Sequence, residues 1–446
     1  MFSTPLRSAA ALVLGVAALS LAACDDGDPG PDPEPDPLVF GTCQGGVALD
    51  ADTTAYPCSG ISLAAHLTPQ QLGVTPVSGV FHNSLWGWAD PQTGREYAVV
   101  GNADGTRFVD VTTPTAPVYL GRLPSATANS LWREVRVTGN LAVIVSEASG
   151  HGLQVFDLTT LRGLAADPAR VFTATARYTG FGSAHNVVVT EGPGASPTVY
   201  GVGARQTAPG LPAACNAPGF HAVSLATPTA PAFAGCFSDV AQELDPVTAP
   251  GYTHDAQCMV YRGADPDYTG REVCFASNED VVTVFDVTDK ADVRVVSQAA
   301  YPNDAYTHQG ALTQDGRYFL VDDELDETTG LAATARTIVM DFQDLDSPDF
   351  AFDYVSALPV VDHNQYVRGG LAFQSNYEAG LRVLDVTGVA SGSLTEVAFF
   401  DTYPQGQART FNGQWANYPY LPSGTLLAND IQNGLFVLTP DPTLAR

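Results

Sequence analysis

Four stretches of the 446-residue chain share one phrase: Phe108-Val109-Asp110-Val111-Thr112, Val155-Phe156-Asp157-Leu158-Thr159, Val284-Phe285-Asp286-Val287-Thr288 and Val383-Leu384-Asp385-Val386-Thr387. Weaker copies lie at Val223-Ser224-Leu225, Val339-Met340-Asp341-Phe342 and Phe436-Val437-Leu438-Thr439. The copies number seven and stand about 44 to 67 residues apart, the spacing of four-stranded blades with variable loops. The unit is clearest over 184–238, where runs at 186–190, 197–202, 220–225 and 232–237 have strand length and are bounded by Gly, Pro, Ser or Asn. The fold expected is all-β: a seven-bladed β-propeller of four-stranded antiparallel blades. The repeated Asp closes the third strand of each unit, where a short carboxylate can accept backbone N–H bonds from the next turn. The last repeat stops after its third strand, and 61–67 belongs to no repeat. That N-terminal strand is therefore expected to complete the last blade and remove the exposed sheet edges.

Outside the repeats, residues 1–23 read as a secretory signal, with an apolar run over 9–21 and then Leu21-Ala22-Ala23-Cys24. The small residues before Cys24 make a lipobox, so Cys24 is the expected lipidation site. Residues 24–37 alternate acids with Pro and Gly and read as an acidic tether, leaving 38–446 as a single propeller domain. The expected setting is the bacterial cell envelope, with the membrane engaged through the lipid alone. The net charge is −28, and Lys290 is the only lysine, which argues against any nucleic-acid partner. Beyond Cys24 there are six cysteines, an even number that in an exported chain suggests disulfides. Proximity in sequence favours Cys43–Cys58, Cys215–Cys236 and Cys258–Cys274. The rival, a Cys-ligated metal, lacks any C-x-x-C spacing.

The histidines follow the repeat. His82, His185, His254, His308 and His363 each open the first strand of a blade and precede Asn, Asp or Gln. First strands line a propeller's channel, and the loops between second and third strands open on the same rim. Those loops begin with acids such as Asp104, Glu147, Glu279, Asp323, Glu324, Glu378 and Asp430. Imidazole with carboxylate is a ligand set for zinc, iron or manganese. The candidate metal ligands are His82, His185, His254, Asp255, His308, His363, Glu279, Asp323 and Glu324. The rival reading makes these histidines structural, bonding buried backbone groups between blades. The acidic run 322–327 could also hold calcium, although it has no EF-hand spacing. His66, His151 and His221 lie outside the pattern and are assigned to packing, as are Trp86, Trp88, Trp132 and Trp415, of which one at the rim could stack on a ligand.

Several further segments carry a resemblance: Tyr56-Pro57-Cys58, Leu85-Trp86-Gly87-Trp88, Gly94-Arg95-Glu96-Tyr97, Tyr252-Thr253-His254-Asp255, Tyr306-Thr307-His308-Gln309-Gly310, the run 322–327, Asp362-His363-Asn364 and Phe411-Asn412-Gly413. With them the chain from Cys43 onward resembles the bacterial cell-surface proteins with LVIVD repeats, the choice-of-anchor B family. The resemblance implies a β-propeller outside the cytoplasm and no particular activity. There is no G-x-S-x-G elbow, H-E-x-x-H, P-loop or dinucleotide fingerprint. The functional expectation is a binding or scaffold module for a surface protein or glycan; the alternative is a metal-dependent enzyme using a His/carboxylate site at the channel mouth.

Overall fold

Short strands, most of them buried on both faces, dominate the computed structural model, which describes residues 40–239 and 250–444. Cys24, the signal segment 1–23 and the tether 24–37 lie outside the described residues. Antiparallel four-strand meanders run over 82–124, 133–178, 186–237, 255–299, 307–355 and 365–400. In the last unit Gln414–Tyr418, Leu426–Asp430 and Gly434–Pro440 take Ile61–Leu67 as their fourth strand, with Leu63 opposite Leu438 and Leu67 opposite Leu435. The N-terminal strand thus pairs where the missing fourth strand required it.

The first strands form a circle. His82–Ala89 packs on Arg133–Thr138, and that strand on Asn186–Glu191. The succession runs on through Asp255–Val260, Thr307–Leu312, Gln365–Arg368 and Gln414–Tyr418, and returns to His82–Ala89. This is a β-propeller. The core lies between neighbouring meanders rather than inside any one of them. Phe108 stacks on Phe156 at 4.5 Å and Phe275 on Phe319 at 5.5 Å, each pair joining consecutive units. Burial therefore stabilises only the assembled ring, since a lone blade leaves both its faces wet.

Hydrogen bonding does not separate every unit, as the repeat led us to expect. Among the described residues there are six sheets. One has eight strands, because Thr190 and Glu191 pair in parallel with Cys258 and Met259 near the channel. Another has six, because a hairpin of Val47–Leu49 and Ala55–Ser59 adds to the outer edge of 365–400 through Cys58 opposite Phe400. The hairpin escaped sequence reading because its strands are short and separated by ordinary turn residues.

The repeated Asp does cap its turn: Asp110 accepts from the Thr112 amide at 3.1 Å, Asp157 from Thr159 at 2.9 Å, Asp286 from Thr288 at 3.1 Å and Asp385 from Thr387 at 2.9 Å. A second repeated device accompanies it. Arg95, Arg271 and Arg317 follow Gly94, Gly270 and Gly316 (φ +69°, +83° and +68°) and reach Asp110, Asp286 and Asp341 on the third strand. Among the described residues three disulfides are formed: Cys43–Cys58, Cys215–Cys236 and Cys258–Cys274. His221 lies beside Cys215 and Cys236, but with the two sulfurs bonded to each other no thiolate remains to hold a metal there.

Candidate metal centre at the channel mouth

Because first strands converge on the channel, a histidine at the start of each arrives beside its counterpart from the next unit. His185, His254, His308 and His363 form a curved file with ring centroids 4.2, 4.1 and 4.5 Å apart. They line a cavity of about 300 Å³ together with Glu324. Glu324 follows the strand Tyr318–Asp323, so it enters from the loop between the second and third strands of its unit.

Each of the four rings is fixed through Nδ1. His254 Nδ1 lies 2.9 Å from the His308 carbonyl oxygen, and His363 Nδ1 lies 2.6 Å from that of Trp415. A carbonyl only accepts, so Nδ1 carries the proton in both rings and Nε2 is left with a bare lone pair. His308 Nδ1 lies 2.7 Å from Asp322 Oδ1, and His185 Nδ1 lies 2.7 Å from Glu147 Oε1. Each carboxylate, when ionised, accepts from Nδ1 and imposes the same tautomer; burial raises Asp322, so at His308 this holds once a cation at the site favours the charged form. This is the arrangement that orients imidazoles as metal ligands, with the second nitrogen held by a carboxylate or backbone carbonyl.

Nε2 of His308 lies 3.7 Å from Glu324 Oε2, and Nε2 of His363 lies 3.8 Å from Glu324 Oε1. These separations are too long for hydrogen bonds. Donors on a tetrahedral ion with bonds of ~2.1 Å stand ~3.4 Å apart, so the trio is nearly at ligand spacing. The Tyr377 hydroxyl donates to Glu324 Oε1 at 2.6 Å, and its ring packs 4.6 Å from His363. Tyr377 has φ +36°, in the left-handed region where a tyrosine is strained, and such strain collects at functional sites.

Electrostatics favour the ligand forms of the rings. Burial, reinforced by neighbouring imidazoles, holds His254 and His308 well below the usual histidine range, and burial takes His363 down to about 3. These rings stay neutral in ordinary buffers, as ligands must. His185 differs: burial opposes its charge most strongly, but the bond and charge of Glu147, together with Glu324 and Glu134, outweigh it and the net shift is upward. Burial pushes Glu324 up to about 7, against the bond from Tyr377.

Not every residue singled out from the sequence reaches this point. His82 is buried one unit-pair away and bonds through Nδ1 to the Asn102 amide at 2.9 Å, off the cavity wall. Asp255 turns to its own strand, accepting from the Ala256 amide at 2.7 Å with Arg136 at 3.7 Å. Asp323 accepts from the Ala305 and Tyr306 amides and the Tyr301 hydroxyl, which makes it a loop cap. Glu279 is buried with φ +72°, and its backbone pairs with Thr307. The run 322–327 does not act as one cation loop, because Asp322 goes to His308 and Asp326 to Arg336. His66, His151 and His221 do serve local contacts, with Asn433, Arg133 and Tyr178 respectively. Sequence reading missed the orienting partners Asp322, Glu147 and the Trp415 carbonyl; the acids were visible, but nothing in sequence paired them with particular rings.

No family profile and no curated protein sequence matches the chain. Among solved structures, "Structure of U3-55K" aligns with 8% identity over 82% of this chain and 97% of the other, at a TM-score of 0.48. "Crystal structure of RRP9 WD40 repeats" aligns with 8% identity over 82% and 96%, at 0.50. The second is a likeness of fold alone, and it agrees with the propeller.

Proposed function

We propose that this chain is a lipid-anchored, extracytoplasmic, seven-bladed propeller of the LVIVD-repeat kind that binds its ligand at a divalent transition-metal centre in the channel mouth. One observation carries the metal reading: four first-strand imidazoles have Nδ1 committed to an acceptor, and two of them place Nε2 beside Glu324 at near-ligand spacing. His254 and His363 bond carbonyls of the next unit, as a structural role also would; the Nε2 atoms of His308 and His363 turned to Glu324 are what favour a ligand role. His308, His363 and Glu324 would hold the ion, with His254 and His185 next in the file. The imidazole and carboxylate donors suit zinc, iron or manganese. Such an ion would supply a Lewis-acidic position for an oxygen ligand. Around it Tyr377 fixes Glu324, and Asp322 and Trp415 fix the two rings. The three disulfides are compatible with an oxidising compartment, and Leu21-Ala22-Ala23-Cys24 supports the anchor.

The test is elemental analysis of the full chain exported to a periplasm, beside His308→Ala/His363→Ala. Near-stoichiometric transition metal that disappears in the folded double variant is the expected result. A metal-free parent, or metal retained equally by the variant, would refute the assignment.

A further inference from the structure

The cavity has two unlike halves. On one side stand Glu324 and the imidazoles. On the other are Val80, Leu131, Trp132, Phe411, Trp415 and Ile431, contributed by the part of the ring where the repeat has no channel histidine. At the position that opens the first strand, the second unit carries Asn129-Ser130 and the last carries Phe411-Asn412. Trp132 and Phe411 are 40% and 46% exposed, two of the few large hydrophobics left open to solvent among the described residues. Neither has structural work that demands exposure. Only backbone atoms of Trp132 are engaged in its hydrogen bonds, with Ser130 and Ser146. Exposed apolar side chains gathered at a concave site mark a binding wall.

We propose that this cavity takes a small amphiphilic ligand: an anionic oxygen head on the metal and an aromatic or alkyl arm against Trp132 and Phe411. The inference rests on the metal reading above. The cavity of about 300 Å³ shares Trp132, His185, His254 and Glu324 with a second of about 590 Å³, and the two together give room for a small molecule with its head at Glu324. An anionic oxygen head suits a divalent ion that shares its site with a single carboxylate, Glu324. The apolar wall argues against a sugar. Val80, Leu131, Phe411 and Ile431 offer no side-chain hydrogen bond to hydroxyls, and burying hydroxyls without partners is costly.

The probes are acetohydroxamate and benzohydroxamate, which present the same oxygen head and differ in the ring. Their affinities are measured by calorimetry on zinc-loaded full chain, on Trp132→Ala and on Phe411→Ala, with metal content determined for each. We expect the parent to prefer benzohydroxamate by at least roughly 10-fold from ring burial. Trp132→Ala should reduce that preference to about threefold or less while zinc content and acetohydroxamate affinity stay unchanged; Phe411→Ala is a second, independent probe of the same wall. Equal affinities in the parent, a preference untouched by both variants, or displacement of benzohydroxamate by glucose would overturn the ligand class while leaving the metal centre standing. A parent that binds no zinc would overturn both.

Discussion

Replacing Asp322 by Asn tests whether the ring tautomers are set for a metal. Asp322 is buried and touches the site only through His308, whose Nδ1 it holds at 2.7 Å; its other oxygen lies 3.4 Å from the Gln365 amide. The substitution keeps the volume and one acceptor oxygen but removes the negative charge that strengthens His308 as a donor to a cation. Losing such an orienting partner costs about 10- to 100-fold in metal affinity, or roughly 1.4–2.7 kcal/mol at 1.36 kcal/mol per decade. The metal-free fold should not suffer. Burial and the nearby Glu324 already hold the Asp322 carboxyl well above its usual range, so a neutral amide suits the unmetallated site at least as well. The assay is competition with a chromophoric chelator, paired with thermal melts with and without zinc. The expected pattern is an unchanged or higher Tm without metal and a smaller zinc-induced rise. If Asp322→Asn keeps its affinity within about threefold while His308→Ala abolishes binding, the orienting role is wrong. Should both retain full affinity, the ion does not sit at His308.

Other consequences concern the scaffold. Burial raises Asp401 to about 6 and Asp430 to about 7. For an acid raised in the folded state, the stability it contributes is fully present below its unfolded pKa near 4 and is lost as pH rises through 6 to 7. Asp430 accounts for roughly 4 kcal/mol of that loss at most. Asp430→Asn should therefore flatten the decline in Tm between pH 5 and pH 8, and an unaltered slope in denaturant melts would contradict the assignment. Arg336 bonds Asp326 and the Asn303 carbonyl, reaches Asp353 at 3.2 Å and lies 3.8 Å from Asp323. Arg336→Met strands buried acids and should cost about 3–5 kcal/mol in urea unfolding at pH 7; a loss under 1 kcal/mol would mean those acids are protonated in the folded chain. Cys258 and Cys274 stand opposite each other on adjacent strands, 16 residues apart in sequence. Cys258→Ala/Cys274→Ala should lower stability by about 3 kcal/mol from loop entropy, with the effect of added reductant on Tm correspondingly reduced.

Sequence carried the fold further than it carried the site, and particular residues show why. The phrase around Asp110, Asp157, Asp286 and Asp385 is legible because its cause is local: a carboxylate two residues before the amide it caps. The same locality exposed the first-strand histidines as a series. What could not be read is how loops of different lengths aim their acids. Glu324 and Asp323 are neighbours in sequence with equal chemistry, yet one turns to the cavity and the other caps a loop through the Ala305 and Tyr306 amides. His82 occupies the series position but bonds Asn102 in the interior. Those outcomes depend on contacts across 14 to 56 residues of chain, such as Asp322 to His308 and Gln309 to Gln365, which no local pattern encodes.

The unequal repeat explains why a ring of similar units has one site and not a symmetric collar. In a regular propeller the position opening each first strand is equivalent, so an identical residue at all of them would put like rings at equal distances around the channel. Here the file runs only through His185, His254, His308 and His363, at spacings between 4.1 and 4.5 Å. Glu324 enters beside its far end, where Tyr377 and Trp415 close the packing around His363. Beyond that point Phe411, Leu131 and Trp132 replace imidazole with hydrocarbon. On the proposed reading, an ion held off-centre beside Glu324 would face this hydrocarbon wall across the cavity, and the apolar arm of a ligand would lie along it. The departures from the repeat, more than the repeat itself, are what give the channel mouth a direction.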